Sequence, residues 1–157
     1  RFEFEFQTER ALRESSIDSN LLELELTETS LMMHANKMIG VLRNLKSLGV
    51  RLSIDDFGTG YSSLSYLARF PIDELKIDRA FINDIDTLPK QVTVIENIIN
   101  LGKSLDLTVV AEGVETHQQA TLLSNLQCNA IQGFHFYRPQ PKHEIEELFV
   151  QNRRHKN

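Results

Sequence analysis

Val50-Arg51-Leu52-Ser53-Ile54-Asp55-Asp56-Phe57-Gly58-Thr59-Gly60 is an alternating segment that ends in two adjacent acids and a glycine turn. Apolar Val50, Leu52 and Ile54 recur with the period of a half-buried strand, so Asp55 closes the polar phase and Asp56 is expected on the loop just beyond. Two neighbouring carboxylates repel each other, and keeping both ionised calls for a cation close by. The same polar phase recurs in three more segments. Leu22, Leu24 and Leu26 alternate with Glu23, Glu25 and Thr27; Leu75 and Ile77 alternate with Glu74, Lys76 and Asp78. Leu107, Val109 and Ala111 alternate with Thr108, Val110 and Glu112, and Asn129 to Gly133 reads as a short fifth strand.

Helical stretches separate these strands. Glu3 to Ser16 is read as a helix although Phe2, Phe4 and Phe6 alternate like a strand. Met38, Ile39, Leu42, Leu45 and Leu48 form one helical face that Gly49 stops. Ser62 or Ser63 is expected to cap a short helix through Leu64, Leu67 and Phe70 that Pro71 ends. Pro89 to Leu105 is a longer helix, Thr116 caps another that carries Ala120, Leu123 and Leu126, and Pro141 opens the last. Repeated βα units imply a parallel sheet, either doubly wound or closed into a barrel. A doubly wound sheet buries both faces and its strands read as continuous apolar runs. Strands with one apolar and one polar phase fit a (β/α)8 barrel, whose active site forms at the C-terminal strand ends.

The chain of 157 residues, 41% hydrophobic, reads as one domain, with a helical region over 1–20, a core over 21–149 and a tail over 150–157. A net charge of -5 argues against a binder of nucleic acid polymers through a broad basic surface. A single cysteine, Cys128, excludes an internal disulfide and fits a cytoplasmic setting, including the cytoplasmic part of a membrane-anchored sensor.

In a barrel, Glu25, Asp55, Lys76 and Glu112 converge, with Asp56 beside them. Four carboxylates from three strands supply hard oxygen for one or two Mg²⁺ or Mn²⁺ ions. Lys76 adds a compact cation for a phosphate oxygen or an attacking water. Gly58-Thr59-Gly60 lacks the Lys-Ser/Thr of a P-loop, so it is read as a mobile loop that shapes the site or meets a partner. The histidines give no ligand pattern: His34, His117 and His143 fall on expected helices, His155 in the tail, and His135 is assigned a structural role. Met32-Met33 is expected in the core.

Glu25-Leu26-Thr27-Glu28, Asp55-Asp56-Phe57-Gly58-Thr59-Gly60-Tyr61-Ser62-Ser63, Lys76-Ile77-Asp78-Arg79, Ala111-Glu112-Gly113-Val114-Glu115 and Gln132-Gly133 occur in this order. Together they resemble the EAL domain family of bacterial cyclic di-GMP phosphodiesterases, from Leu21 to about Phe149. The resemblance implies a parallel (β/α)8 TIM-like barrel that uses Mg²⁺ or Mn²⁺, two ions in the complete domain, to hydrolyse cyclic di-GMP to linear pGpG. By motif it implies Glu25, Asp55, Asp56 and Glu112 as metal ligands, with Asp55 bridging, and Lys76 as the residue that orients or activates water. It implies that Glu28 holds the Phe57–Ser63 loop, through which a homodimer forms, and that Asp78, Glu115 and Gln132 support metal and substrate. An upstream sensory or cyclase domain is implied in a full-length protein.

The Glu-Ala-Leu sequence that names the family is absent from these residues. The chain is therefore expected to lack the first strands of the barrel and to be inactive or weak by itself. A non-catalytic cyclic di-GMP receptor or protein-interaction module is the alternative. An enolase-type barrel with Lys76 as base is a third reading from the chemistry alone.

Overall fold

The computed structural model describes residues 2–60 and 63–154. Helix α1 (Phe2–Ser15) leads through a 3₁₀ turn (Ser19–Leu21) into β1 (Glu23–Thr27), followed by α2 (Glu28–Met33) and α3 (Ala35–Ser47). Then come β2 (Arg51–Phe57), α4 (Leu64–Leu67), β3 (Glu74–Ile77), α5 (Arg79–Ile82) and α6 (Pro89–Ser104). The chain continues through β4 (Thr108–Ala111), α7 (His117–Asn125), β5 (Ala130–Ile131) and α8 (Lys142–Arg154). All five strands pair in parallel in the order β1-β2-β3-β4-β5. Sequential parallel order with helical crossovers is the progression of a barrel wall; a doubly wound sheet reverses its strand order at a switch point. No helix among the described residues is long and apolar enough to cross a membrane.

The strand alternation divides the two faces by chemistry. Leu52, Ile54, Leu75, Ile77, Val109 and Ala111 are fully buried under helix residues that include Ile39, Leu42 and Leu45 of α3 and Ile95 and Ile99 of α6. Each of the leucine, isoleucine and valine side chains contributes about 1.5–3 kcal/mol by leaving water. α6 comes so close to β4 that a Cβ on Gly102 would lie 2.2 Å from Val109 Cγ2. The opposite face carries ions. Arg51 binds Glu23 at 3.3 Å and Glu74 at 3.1 Å, and Lys76 binds the next tier of acids toward the C-terminal ends. Burial, then the charge of Glu23, pushes the Glu74 carboxyl up, and Arg51 offsets part of that.

Ser53 lies between these tiers, fully buried, with no hydrogen-bond partner for Oγ among the described residues. An unsatisfied buried hydroxyl costs about 1–3 kcal/mol. Ser53→Ala is therefore expected to leave stability unchanged or raise it, as read from the urea midpoint. A loss above about 1 kcal/mol would mean that the hydroxyl has a partner.

The helix expected over Glu3 to Ser16 forms as α1 (Phe2–Ser15) and leaves Phe4 and Phe6 exposed. Several other local expectations are corrected. α4 stops at Leu67, well before Phe70; Ser63 holds its N-cap position without a side-chain cap bond, and Ser62 lies outside the described residues. The fifth strand shrinks to Ala130–Ile131. Met32 packs against the core, whereas Met33 is 70% exposed, because the unanticipated α2 turns it outward. α2 begins where Thr27 Oγ1 accepts from Ser30 N at 3.4 Å. Asp78 likewise starts the short α5 by accepting from Ala80 N at 2.8 Å.

Candidate active site

The acid pair does not straddle a strand end. β2 runs on to Phe57, and its register against β3 shifts between Ile54, opposite Leu75, and Phe57, opposite Ile77. Asp55 and Asp56 thus stand together against the single residue Lys76, which is the two-against-one count of a β-bulge. Asp56 takes a left-handed φ of +55° at this kink, and its N–H donates to Asp55 Oδ1 at 2.9 Å. The expectation that Asp56 sits on a loop is corrected accordingly. Burial first, then the charge of Asp55 and a hydrogen bond with Asp78, raises the Asp56 carboxyl above its ordinary range, and Lys76 partly offsets this.

Lys76 is only 6% exposed. Its ammonium donates to Glu25 Oε1 at 2.7 Å from β1 and meets Glu112 Oε1 at 2.6 Å just after β4. Burial opposes the charge, but the bonds to Glu112 and Glu25 and their negative charges outweigh it and hold the ammonium above the usual lysine range. Bonded to both carboxylates, the ammonium acts here as a hydrogen-bond donor, which is the opposite of what a lysine base of the enolase kind needs.

The loops are pinned around this centre. Glu28, buried at the start of α2, accepts from Gly58 N at 2.8 Å and so ties β1 to the turn after the acid pair. Val114 N donates to Gln132 O at 3.0 Å and His135 N to Val114 O at 2.9 Å, which staples the β4–α7 loop to the segment after β5. Buried Gln119 accepts from Glu115 N at 2.8 Å and Thr116 N at 3.1 Å and donates to Ile82 O at 3.2 Å. A cavity of about 310 Å³ opens between these loops, lined in part by Asp56, Asp78, Arg79, Glu112, Glu115 and Gln132.

Glu25, Lys76 and Glu112 are thus brought into contact, Asp56 and Asp78 into another, and Glu115 and Gln132 onto the same cavity. Asp55 faces its neighbour at the bulge. Tyr61 and Ser62 of the Phe57–Ser63 loop lie outside the described residues. Arg79, Phe134 and Gln119 were not anticipated. Arg79 was legible only as the residue after Asp78, and Gln119 as the third residue of a Thr-x-x-Gln capping box, which the structure forms. The donor chemistry of Glu25, Asp55, Asp56 and Glu112 suits a hard divalent cation. As they stand, no three His, Cys, Asp or Glu among the described residues converge closely enough to cage one, and Lys76 links two of the carboxylates instead.

The chain is similar to known proteins. Residues 3–139 match the model of the EAL domain. The cyclic di-GMP phosphodiesterase NbdA of Pseudomonas aeruginosa is 47% identical over 142 residues, 90% of this chain and 18% of NbdA. This chain thus spans about a fifth of that relative's length. The solved PaMucR phosphodiesterase in its c-di-GMP complex superposes with a TM-score of 0.84 at 46% identity, over 87% of this chain and 55% of that one. The Klebsiella pneumoniae BlrP1 manganese/cy-diGMP complex at pH 9.0 gives 0.79 at 34% identity, over 85% and 34%.

Proposed function

The chain belongs to the EAL domain family, and from that premise we propose that its site hydrolyses cyclic di-GMP to linear pGpG in bacterial second-messenger signalling, on the cytoplasmic side of the membrane. The observation that carries this reading is the convergence of Glu25, Lys76 and Glu112 from three strands, with Lys76 Nζ 2.7 and 2.6 Å from the two carboxylates, beside an acid-lined cavity. Relatives described as cyclic di-GMP phosphodiesterases and a manganese complex of a structural neighbour support it.

Glu25, Asp55, Asp56 and Glu112 would hold Mg²⁺ or Mn²⁺, which when bound polarises the phosphoryl oxygens and lowers the pKa of a water. Lys76 points its ammonium at the same place and orients the attacking oxygen by donating a hydrogen bond. Water adds to phosphorus, the P–O3′ bond breaks, and the proton that water loses ends on the departing 3′ oxygen. Arg79 supplies a guanidinium for the non-reacting phosphate oxygens. Glu28, through Gly58, fixes the turn that follows the acid pair. Asp78, Glu115 and Gln132 support the cavity wall. The Phe57–Ser63 loop, with Gly58 to Gly60 exposed, is the surface proposed for a homodimer contact, and sensory or cyclase domains are the proposed neighbours in a longer protein.

Because the sequence carries no Glu-Ala-Leu motif, we expect weak turnover from these 157 residues by themselves. The test compares this chain with a longer protein that carries the motif upstream, assaying pGpG release with Mg²⁺ or Mn²⁺. Metal-dependent turnover in the longer form, lowered at least about a thousandfold by Asp55→Ala, is the expected result. Tight cyclic di-GMP binding without turnover in both forms would replace the enzyme reading with the receptor reading.

A further inference from the structure

His117 and His135 are remote in sequence, and nothing in the spacing of the histidines pairs them. In the fold their rings are neighbours, with centroids 5.9 Å apart and planes tilted by 47°. His117 is the first residue of α7, directly after the capping residue Thr116. His135 follows β5, and its own N–H is bonded to Val114 O at 2.9 Å. The same Val114 donates to Gln132 O at 3.0 Å, and no Cβ would fit at Gly133 against Val114. Both imidazoles are thus mounted on backbone already held together, so little ordering remains to be done when a ligand enters. Phe136 packs edge-on against His135 with centroids 5.0 Å apart and limits the tumbling of that ring.

Two imidazoles that bind one ion at about 2.0–2.1 Å place their ring centres about 5 to 6.5 Å apart, from a tetrahedral to a linear angle. The observed 5.9 Å lies inside that range. We propose that His117 and His135 form a second metal site, separate from the carboxylates, that takes a borderline transition ion such as Zn²⁺ or Ni²⁺ through two ring nitrogens and leaves its other positions to water. Imidazole selects these ions, whereas the all-carboxylate set selects Mg²⁺ or Mn²⁺. Glu115 and Phe134, which line the cavity, stand two residues before His117 and one before His135. An ion at the pair would therefore clamp both loops at the cavity lip.

The test is calorimetric titration of Zn²⁺, and separately Ni²⁺, into the 157-residue chain in saturating Mg²⁺. A single saturable site per chain is expected. His117→Gln and His135→Gln should each weaken it by at least about tenfold, the scale on which even outer partners of a ligand act. His34→Gln, His143→Gln and Cys128→Ser should leave it unchanged, and circular dichroism should show all five variants folded. Saturable binding that survives both His117→Gln and His135→Gln, or no binding by the parent chain, overturns the proposal. Neither result bears on cyclic di-GMP hydrolysis, which is read by a separate assay.

Discussion

Lys76→Met is expected to destabilise the protein by about 2–3 kcal/mol and, in a longer active form, to lower cyclic di-GMP turnover by about a thousandfold. The ammonium is buried and touches two carboxylates at 2.6 and 2.7 Å. Methionine fills its volume but leaves Glu25 and Glu112 facing each other without a countercharge. Removing one partner of a fully buried pair costs about 3–5 kcal/mol; here the Glu25 and Glu112 side chains are 51% and 22% exposed, so water relieves part of it. The sign of the pH dependence follows from the raised lysine value. The stabilisation is fully present below the ordinary 10.5 and is lost only as pH climbs through the higher folded value. The gap between parent and variant should therefore stay level from neutral pH to about 10 and close above it. A companion change tests the charge argument by stability alone: Lys76→Met with Glu112→Gln removes one stranded charge and should recover part of the urea midpoint, while turnover stays lost because Glu112 is a proposed metal ligand. Urea midpoints read the charge balance in both variants, and pGpG release is read on the single variant. Turnover in Lys76→Met close to that of the parent would mean that Lys76 serves charge balance alone and orients nothing.

The sheet was readable because its two phases differ so sharply. Leu52, Ile54, Leu75 and Ile77 on one face and Glu25, Lys76 and Glu112 on the other can be sorted by alternation alone, and the parallel order follows from the intervening helices. What alternation cannot carry is a change of period. The bulge adds one residue to β2, so Asp56 stays in the strand opposite Lys76 although strict alternation ends the strand at Asp55. The backbone signal, a non-glycine residue at φ +55°, has no counterpart in hydropathy. α2 escaped for a related reason: Leu31-Met32-Met33 is contiguous, and contiguous apolar residues have no helical face to show. The His117–His135 pair is closed by the packing of two loops, a long-range event that local spacing does not encode. The acids that the structure brings to the cavity divide by source: Asp56 and Glu112 sit on or next to strands that alternation marks, whereas Asp78 and Glu115 were singled out only by the family resemblance.

Gly133→Ala should be the most damaging small substitution, with an expected loss of about 2–4 kcal/mol and of most cyclic di-GMP turnover in an active longer form. A Cβ at Gly133 would lie 2.1 Å from Val114 O, 2.3 Å from Val114 N and 2.7 Å from Val114 C. These are backbone atoms, so no side-chain rotation can make room. The β4–α7 loop and the post-β5 segment must part, and the bonds from Val114 N to Gln132 O and from His135 N to Val114 O are then lost. Glu112, Glu115 and Gln132 ride on those two segments, so the cavity widens at the place where the proposed reaction needs fixed positions. Catalytic groups displaced by about 1 Å lose on the order of a hundredfold in rate. Gly60→Ala is the control. There the nearest atoms are the Glu28 carboxyl at 3.4 Å, an ordinary contact with a side chain, and the expected stability change is below about 0.5 kcal/mol. Thermal and urea unfolding of the two variants, with Zn²⁺ titration as a second readout, separates loop parting from a general loss of packing. If Gly133→Ala proves as mild as Gly60→Ala, the two loops have room to shift, and the rigid mounting argued for the acids of the cavity and for the histidine pair fails together.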